Sequence, residues 1–196
     1  MNHNISKIVF ATNNPHKLQE ARDILKGFVK VLSLKEIGCH DEIPETSDTL
    51  EGNALIKAQW VKDKYGYDCF ADDTGLLVDA LDGAPGVYSA RFAGEHCSPD
   101  DNIALLLQKL KGENNRNARF VTVVALIIGE EKYLFEGEVK GEIAENYCGH
   151  SGFGYDPVFI PEGEALSFAQ MTPEGKNAIS HRGRAMTKLA QFITSK

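Results

Sequence analysis

The sequence predicts an α/β protein in which a mixed β-sheet is flanked by helices. Three observations carry that expectation. Short apolar runs near the start are joined to segments of helical periodicity, and after residue 119 the pattern changes to that of extended chain. At 196 residues, 42% hydrophobic and 25% charged, the chain can also bury a substantial core as one domain spanning residues 1–196.

Ile8-Val9-Phe10-Ala11 reads as a buried strand, and Asn14-Pro15 supplies an N-cap and a proline at the first helical position. Leu18, Ala21 and Leu25 give the ensuing helix one apolar face. Asp48 and Glu51 make a capping-box pattern ahead of a second helix, in which Leu50, Ala54, Ala58, Val61 and Tyr65 recur every three or four residues until Gly66. A strand is expected over 68–71, ending before the pair Asp72-Asp73. Residues 99–110 read as a third helix, with Pro99 near its start and Ile103, Leu106, Leu107 and Leu110 inside.

Residues 120–128 are rich in β-branched side chains, residues 129–132 can turn, and Tyr133, Phe135 and Val139 alternate with Glu136, Glu138 and Lys140. That pattern predicts a long antiparallel hairpin, and combining it with the earlier strand-helix pairs makes the sheet mixed. Ser180 is placed to cap a last helix with Ala185, Leu189 and Ile193 on its inner side.

The formal net charge is −7 and the basic residues are scattered, which disfavours nonspecific binding to nucleic acid or to an anionic membrane. No apolar run approaches the roughly 18 residues of a membrane span, and residues 1–7 lack a signal-peptide core, so a soluble cytoplasmic protein is expected. The cysteines Cys39, Cys69, Cys97 and Cys148 lie far apart without a C-x-x-C pair, as suits reduced thiols. His40, His96 and His150 stand near three of them, but without the short ligand spacing of zinc modules.

Four stretches carry candidate chemistry. Thr12-Asn13-Asn14-Pro15-His16-Lys17 opens the first helix, where backbone N–H groups, the helix dipole and a lysine suit a phosphate; the alternative is an ordinary capped turn. Asp72 and Asp73 could supply oxygen ligands to Mg²⁺, but successive side chains of an extended chain point to opposite faces, so one should be chemical and the other structural. A strand-ending turn with Gly75 is the alternative there. In Gly152-Phe153-Gly154-Tyr155-Asp156-Pro157, the glycines let a flat ligand approach the ring and Asp156 can accept from a base N–H; plain punctuation is the alternative. Residues 175–184 gather Lys176, His181, Arg182 and Arg184 at a helix start, against the preference of the helix dipole, as an anion or carbonyl clamp would; a solvated basic helix start with exposed cations is the alternative.

Together these motifs resemble the inosine triphosphate pyrophosphatase family. The resemblance runs in order through T-x-N-x-x-K at residues 12–17, A-D-D-T-G-L at 71–76, G-A-P-G-V-Y-S-A-R at 83–91, G-F-G-Y-D-P at 152–157 and K-N-A-I-S-H-R at 176–182. It implies an elongated sheet in two lobes with a nucleotide cleft between them, a homodimer, a Mg²⁺ cofactor, and hydrolysis of ITP, dITP and XTP to the monophosphate and pyrophosphate. It also implies residue roles. Thr12, Asn13, Asn14, Pro15, His16 and Lys17 would surround the triphosphate, and Asp73 would bind metal and accept the proton of the attacking water, with Glu45 as a second metal-side acid. Thr74, Phe153, Gly154, Tyr155 and Asp156 would line sugar and base, while Lys176, His181 and Arg182 would read the base. Gly175 and Thr74 depart from the residues common in the family. A different damaged nucleotide as substrate and a nucleotide-binding module without catalysis are the rival readings; Asp73, Lys17 and the basic cluster together argue against the second, which would be free to lose the acid.

Overall fold

The computed structural model describes residues 5–195. In chain order the elements are β1 (Lys7–Phe10), α1 (Pro15–Ile24), β2 (Lys30–Leu32), α2 (Leu50–Tyr65), β3 (Cys69–Val78), β4 (Pro85–Gly86), α3 (Pro99–Lys109), β5 (Asn117–Ile128), β6 (Glu131–Ile143), β7 (Phe159–Pro161), α4 (Pro173–Ile179) and α5 (His181–Ser195). The strands make one sheet in the order β2-β1-β3-β5-β6-β7, with β4 paired to β3. β1 runs parallel to β2 and β3, whereas β4 on β3 and β7 on β6 are antiparallel, so the sheet is mixed as expected. β5 and β6 are neighbours joined only by Gly129 and Glu130, which makes them a hairpin; Gly129 supplies the left-handed φ of 57° that its turn needs.

The chain forms two compact units. The first takes the residues up to Asp73, 122–137, and those from His181 onward; the second takes 74–121 and 138–180. In the first unit, strand alternation sorts side chains onto two helix layers. Ile8 and Phe10 of β1, Phe70 of β3, and Val124 and Leu126 of β5 pack with Ala21 and Leu25 at α1 and with Ala185, Leu189 and Ile193 of α5. Val9 and Ala11, Cys69 and Ala71, and Ala125 and Ile127 face the other way, onto Ala54, Ala58 and Val61 of α2. The phenylalanines Phe10 and Phe70 stack across the parallel pair, with ring centroids 4.4 Å apart. In the second unit Leu76 and Val78 of β3, Phe120 of β5 and Val139 of β6 close a core with Ile103, Leu106 and Leu110 at α3 and with Phe159 and Phe168.

The structure corrects four local expectations. β3 does not end before Asp72 but continues to Val78, so Asp72, Asp73, Thr74 and Gly75 lie within a strand and no turn forms there. The reason is tertiary: partners on both faces satisfy the two charges that made the segment look like a terminus. The cap of α2 is Thr49, whose hydroxyl accepts from Gly52 N–H at 3.0 Å, rather than Asp48. The hairpin turn is shorter than residues 129–132, since Glu131 and Lys132 already belong to β6. The basic stretch is divided, with Lys176 in the short helix α4, which the periodicity did not reveal, and Arg182 in α5; Ser180 sits between them with extended backbone.

Thr49→Ala should lower stability by about 1 kcal/mol, whereas Asp48→Ala should change it by less than about 0.5 kcal/mol. Urea unfolding midpoints of the two variants check this.

Candidate active site

The pleat of β3 decides where the two aspartates go. Asp72 shares the face of Phe70 and therefore meets α1 and α5; Asp73 shares the face of Cys69 and Ala71 and meets α2. On the first face Asp72 accepts from Lys17 Nζ at 3.0 Å and from Arg182 Nε at 2.9 Å, and its side chain is fully buried. Arg182 reaches in turn to Glu20 of α1 at 2.7 Å. Burial alone would push the Asp72 carboxyl up, but Lys17, Arg182 and Lys57 together hold it well below the usual carboxylate range. Asp72 is therefore a fixed anion that ties α1 and α5 to the strand.

On the second face Asp73 accepts from Asn53 Nδ2 at 3.3 Å and from Lys57 Nζ at 3.2 Å. The same ammonium donates to Glu45 at 2.6 Å. Burial raises the Asp73 carboxyl, Lys57 and Lys17 pull it back, and Glu45 and Asp72 add to the rise; the net direction is upward. Lys57 is disfavoured as a cation by its burial, yet Asp73, Asp72 and Glu45 outweigh that and hold it charged. Adjacent carboxylates thus have their proton affinities driven apart, the condition under which one stays an anion and the other can exchange a proton.

Glu45 belongs to an irregular segment laid along one stripe of α2. Ser47 N–H donates to Asn53 Oδ1 at 2.9 Å, Glu45 pairs with Lys57, and Asp41 accepts from Lys64 Nζ at 2.8 Å and Tyr65 Oη at 3.1 Å. The anchors follow one another at helical spacing, so α2 sets the position of Glu45.

At the start of α1, Asn14 Oδ1 accepts from His16 N–H and Lys17 N–H, and Thr12 Oγ1 accepts from Asn14 N–H. Asn13, Pro15 and His16 are exposed, and Asn13 Nδ2 donates to Asp41 O at 3.5 Å. This is the capped turn in full, with Lys17 directed to Asp72 from its first turn.

The second unit gathers Phe153, Gly154, Tyr155, Asp156 and Lys176. Asp156 is buried; its Oδ2 accepts from Lys176 Nζ at 2.6 Å and from Phe153 N–H at 2.8 Å. Gly152 is required here, because a Cβ at that position would lie 2.2 Å from Asp156 Oδ2. Lys176 also stands 4.7 Å from the centre of the Phe153 ring. Tyr155 is buried and donates its hydroxyl to Ser89 O at 2.8 Å. Thr74 is half-buried in β3 at the first position of this unit. A concavity of about 1030 Å³ in the same unit is lined by Leu77, Arg119, Lys140, Glu142 and Ile160 and contains none of the expected site residues.

The structure brings Lys17, Glu45, Asp73 and Arg182 into the first unit, with His181 buried at the start of α5. Lys176, grouped with His181 and Arg182 in the sequence, belongs to the second. Arg182 is buried against Asp72 and Glu20, a placement that an exposed-cation reading of residues 175–184 did not anticipate. Sequence reasoning missed Asn53 and Lys57. Their signal is visible in retrospect: two polar residues four apart, alongside the apolar stripe Ala54, Ala58, Val61 of a helix.

Among the described residues no three of His, Cys, Asp or Glu come together as a ready-made metal cage. The Asp73–Glu45 pair nonetheless fits Mg²⁺ by its chemistry. It offers only oxygen donors, both converge on one positive charge at Lys57 Nζ, and Mg²⁺ ordinarily takes one or two carboxylates and completes its shell with water and substrate phosphate.

This geometry defines a mixed-sheet α/β protein with a carboxylate-ammonium centre on one face of a strand and an aromatic-glycine loop braced by a buried ion pair. The chain belongs to the Ham1 family, whose model matches residues 8–192. It is 56% identical to the dITP/XTP pyrophosphatase of Porphyromonas gingivalis over 96% of its own length and 98% of that protein. Among solved structures, a HAM1 protein from Coxiella burnetii superposes with a TM-score of 0.89 at 36% identity, covering 98% of this chain and 100% of that one. A nucleoside-triphosphatase / dITP/XTP pyrophosphatase from Mycobacterium abscessus gives 0.74 at 46% identity, covering 93% and 98%.

The Asp72 carboxyl, held low in the folded state, contributes stability that is complete above the unfolded value of about 3.9 and fades as pH falls below it. Asp72→Asn should therefore cost about 3 kcal/mol near neutral pH, and less in acid, because it leaves Lys17 and Arg182 buried with their charge uncompensated. Asp73 has the opposite sign, since its ionised form opposes folding above its raised value, and Asp73→Asn should move stability by less than about 1 kcal/mol. Urea titrations at neutral and acid pH measure both.

Proposed function

We propose that this protein hydrolyses the non-canonical purine nucleoside triphosphates ITP, dITP and XTP to the nucleoside monophosphate and pyrophosphate. The observation that carries the reading is Asp73, a carboxyl raised by burial and aimed by Asn53 and Lys57, beside Glu45 and back to back with Asp72, which its cationic neighbours hold well below the usual carboxylate range. The names of the curated relatives support it.

In the reaction a water oxygen attacks the α-phosphorus, the bond to the bridging oxygen of the β-phosphate breaks, and pyrophosphate leaves. Asp73 orients that water and takes its proton. Lys57 keeps the carboxylate in place, and Lys17 with the first turn of α1 contributes positive potential toward the triphosphate. Mg²⁺, held by Asp73 and Glu45, would supply neutralisation of the charge that develops on the leaving pyrophosphate.

The second unit serves the base. Phe153 offers a ring face, and Lys176 offers N–H donors that a 6-oxo purine can accept from. Adenine has an amino group at that position and leaves a donor unpaired, so discrimination against ATP follows from the cost of that orphan. The protein works in the cytoplasm as a homodimer.

Pyrophosphate release should be fast with ITP and XTP and slow with ATP and dUTP, and chelation of Mg²⁺ should abolish it. A preference for dUTP would redirect the assignment to another damaged nucleotide, and tight ITP binding without pyrophosphate release would make the protein a binding module. Asp73→Asn should reduce kcat by at least about a thousandfold while its circular dichroism and urea midpoint stay near wild type. A rate within about tenfold of wild type would remove Asp73 from the chemistry.

A further inference from the structure

The stretch G-A-P-G-V-Y-S-A-R has no part in the chemistry described above, yet its serine bonds to two other segments of the second unit. Ser89 is buried. Its hydroxyl accepts from Leu76 N–H at 2.8 Å and donates to Gly86 O at 2.6 Å, so both of its bonding directions are used. Its carbonyl accepts from Tyr155 Oη at 2.8 Å. Leu76 lies in β3; Tyr155 lies in the loop that presents Phe153 and Asp156.

We propose that Ser89 is the positioning residue of the base-binding loop, linking it to β3 through the chain Leu76 N–H, Ser89 Oγ, Ser89 C=O, Tyr155 Oη. The phenol of Tyr155 is thereby a strut and not a substrate contact. Buried against the core of its unit, it stays protonated, since burial drives its titration well above the ordinary phenol value, and its one donor is committed to Ser89. Tyr155 O in turn accepts from Val158 N–H at 3.0 Å and Phe159 N–H at 3.1 Å, which passes the constraint into the turn that ends on β7. Phe153 is fixed from the other side by its N–H on Asp156 and by Lys176 over its ring. With Ser89 in place the loop is held at both ends, and the ring face is presented in one orientation without an ordering cost on binding.

Amide hydrogen exchange and steady-state kinetics on Ser89→Ala and Tyr155→Phe test this. In Ser89→Ala, exchange should accelerate at Leu76 and also at residues 153–156, because losing the hydroxyl's bonds to Leu76 N–H and Gly86 O loosens the backbone whose carbonyl Tyr155 needs. Tyr155→Phe should accelerate 153–156 alone. Each variant should raise KM for ITP by about fivefold with kcat within about twofold, the loss expected for one buried neutral hydrogen bond. The double variant should be no worse than the poorer single, as members of one chain are not additive. Ser89→Ala exchange confined to Leu76, with wild-type protection at 153–156, overturns the linkage, and so do additive KM increases. The kinetic arm rests on the proposed reaction. If wild-type protein releases no pyrophosphate from ITP, that reaction fails while the exchange arm still decides the linkage.

Discussion

Everything about this site follows from one geometric constraint, the alternation of side chains along an extended strand. Two consecutive carboxylates on β3 cannot face the same way, so Asp72 and Asp73 enter different layers and acquire different neighbours. The layer of α1 and α5 brings Lys17 and Arg182; the layer of α2 brings Asn53 and Lys57. Sequence adjacency and chemical separation are thus reconciled by the backbone alone. A helix at the same place would have turned successive side chains by only about 100° and left the two charges close together.

The energetics of the two faces differ in kind. On the Asp72 face, two cations and two anions are enclosed, with Glu20 completing the set around Arg182. Such a network adds little net stability relative to apolar packing of the same volume, but removal of any single member leaves an uncompensated buried charge. That asymmetry fixes α1 and α5 in register with the strand. On the Asp73 face one ammonium serves two carboxylates, and the hydrogen bonds are longer on Asp73 than on Glu45, 3.2 Å against 2.6 Å. Asp73 is the more buried of the pair and holds the shared ammonium less closely, as suits a group that must exchange a proton.

Much of this was legible beforehand. The strand-helix order, the Asn14 cap, the hairpin over 120–140 and the alternation argument for the aspartates all rest on local rules, and local rules predicted them. The end of β3 is not legible locally because two adjacent charges look like a strand terminus, whereas here they are neutralised by residues distant in sequence, Arg182 being 110 positions from Asp72. Lys57 and Asn53 escaped notice because polar residues beside an apolar helical stripe look like its solvated border. Only the tertiary fold turns that border toward Asp73. The connection from Leu76 to Tyr155 through Ser89 was invisible for the same reason, since a serine in a glycine-proline turn ordinarily bonds to its own loop. The short helix α4 escaped because seven residues give too few apolar repeats to register a period.

The strand pleat gives the two aspartates opposite electrostatic fates. Carbon-13 NMR of the side-chain carboxyls, followed through a pH titration of the metal-free protein, measures each fate separately. The Asp72 resonance should remain that of a carboxylate down to the pH at which the fold is lost. The Asp73 resonance should titrate above the ordinary aspartate value of about 3.9. Joint titration of the two, or an Asp72 that takes up its proton before Asp73 does, would contradict the account.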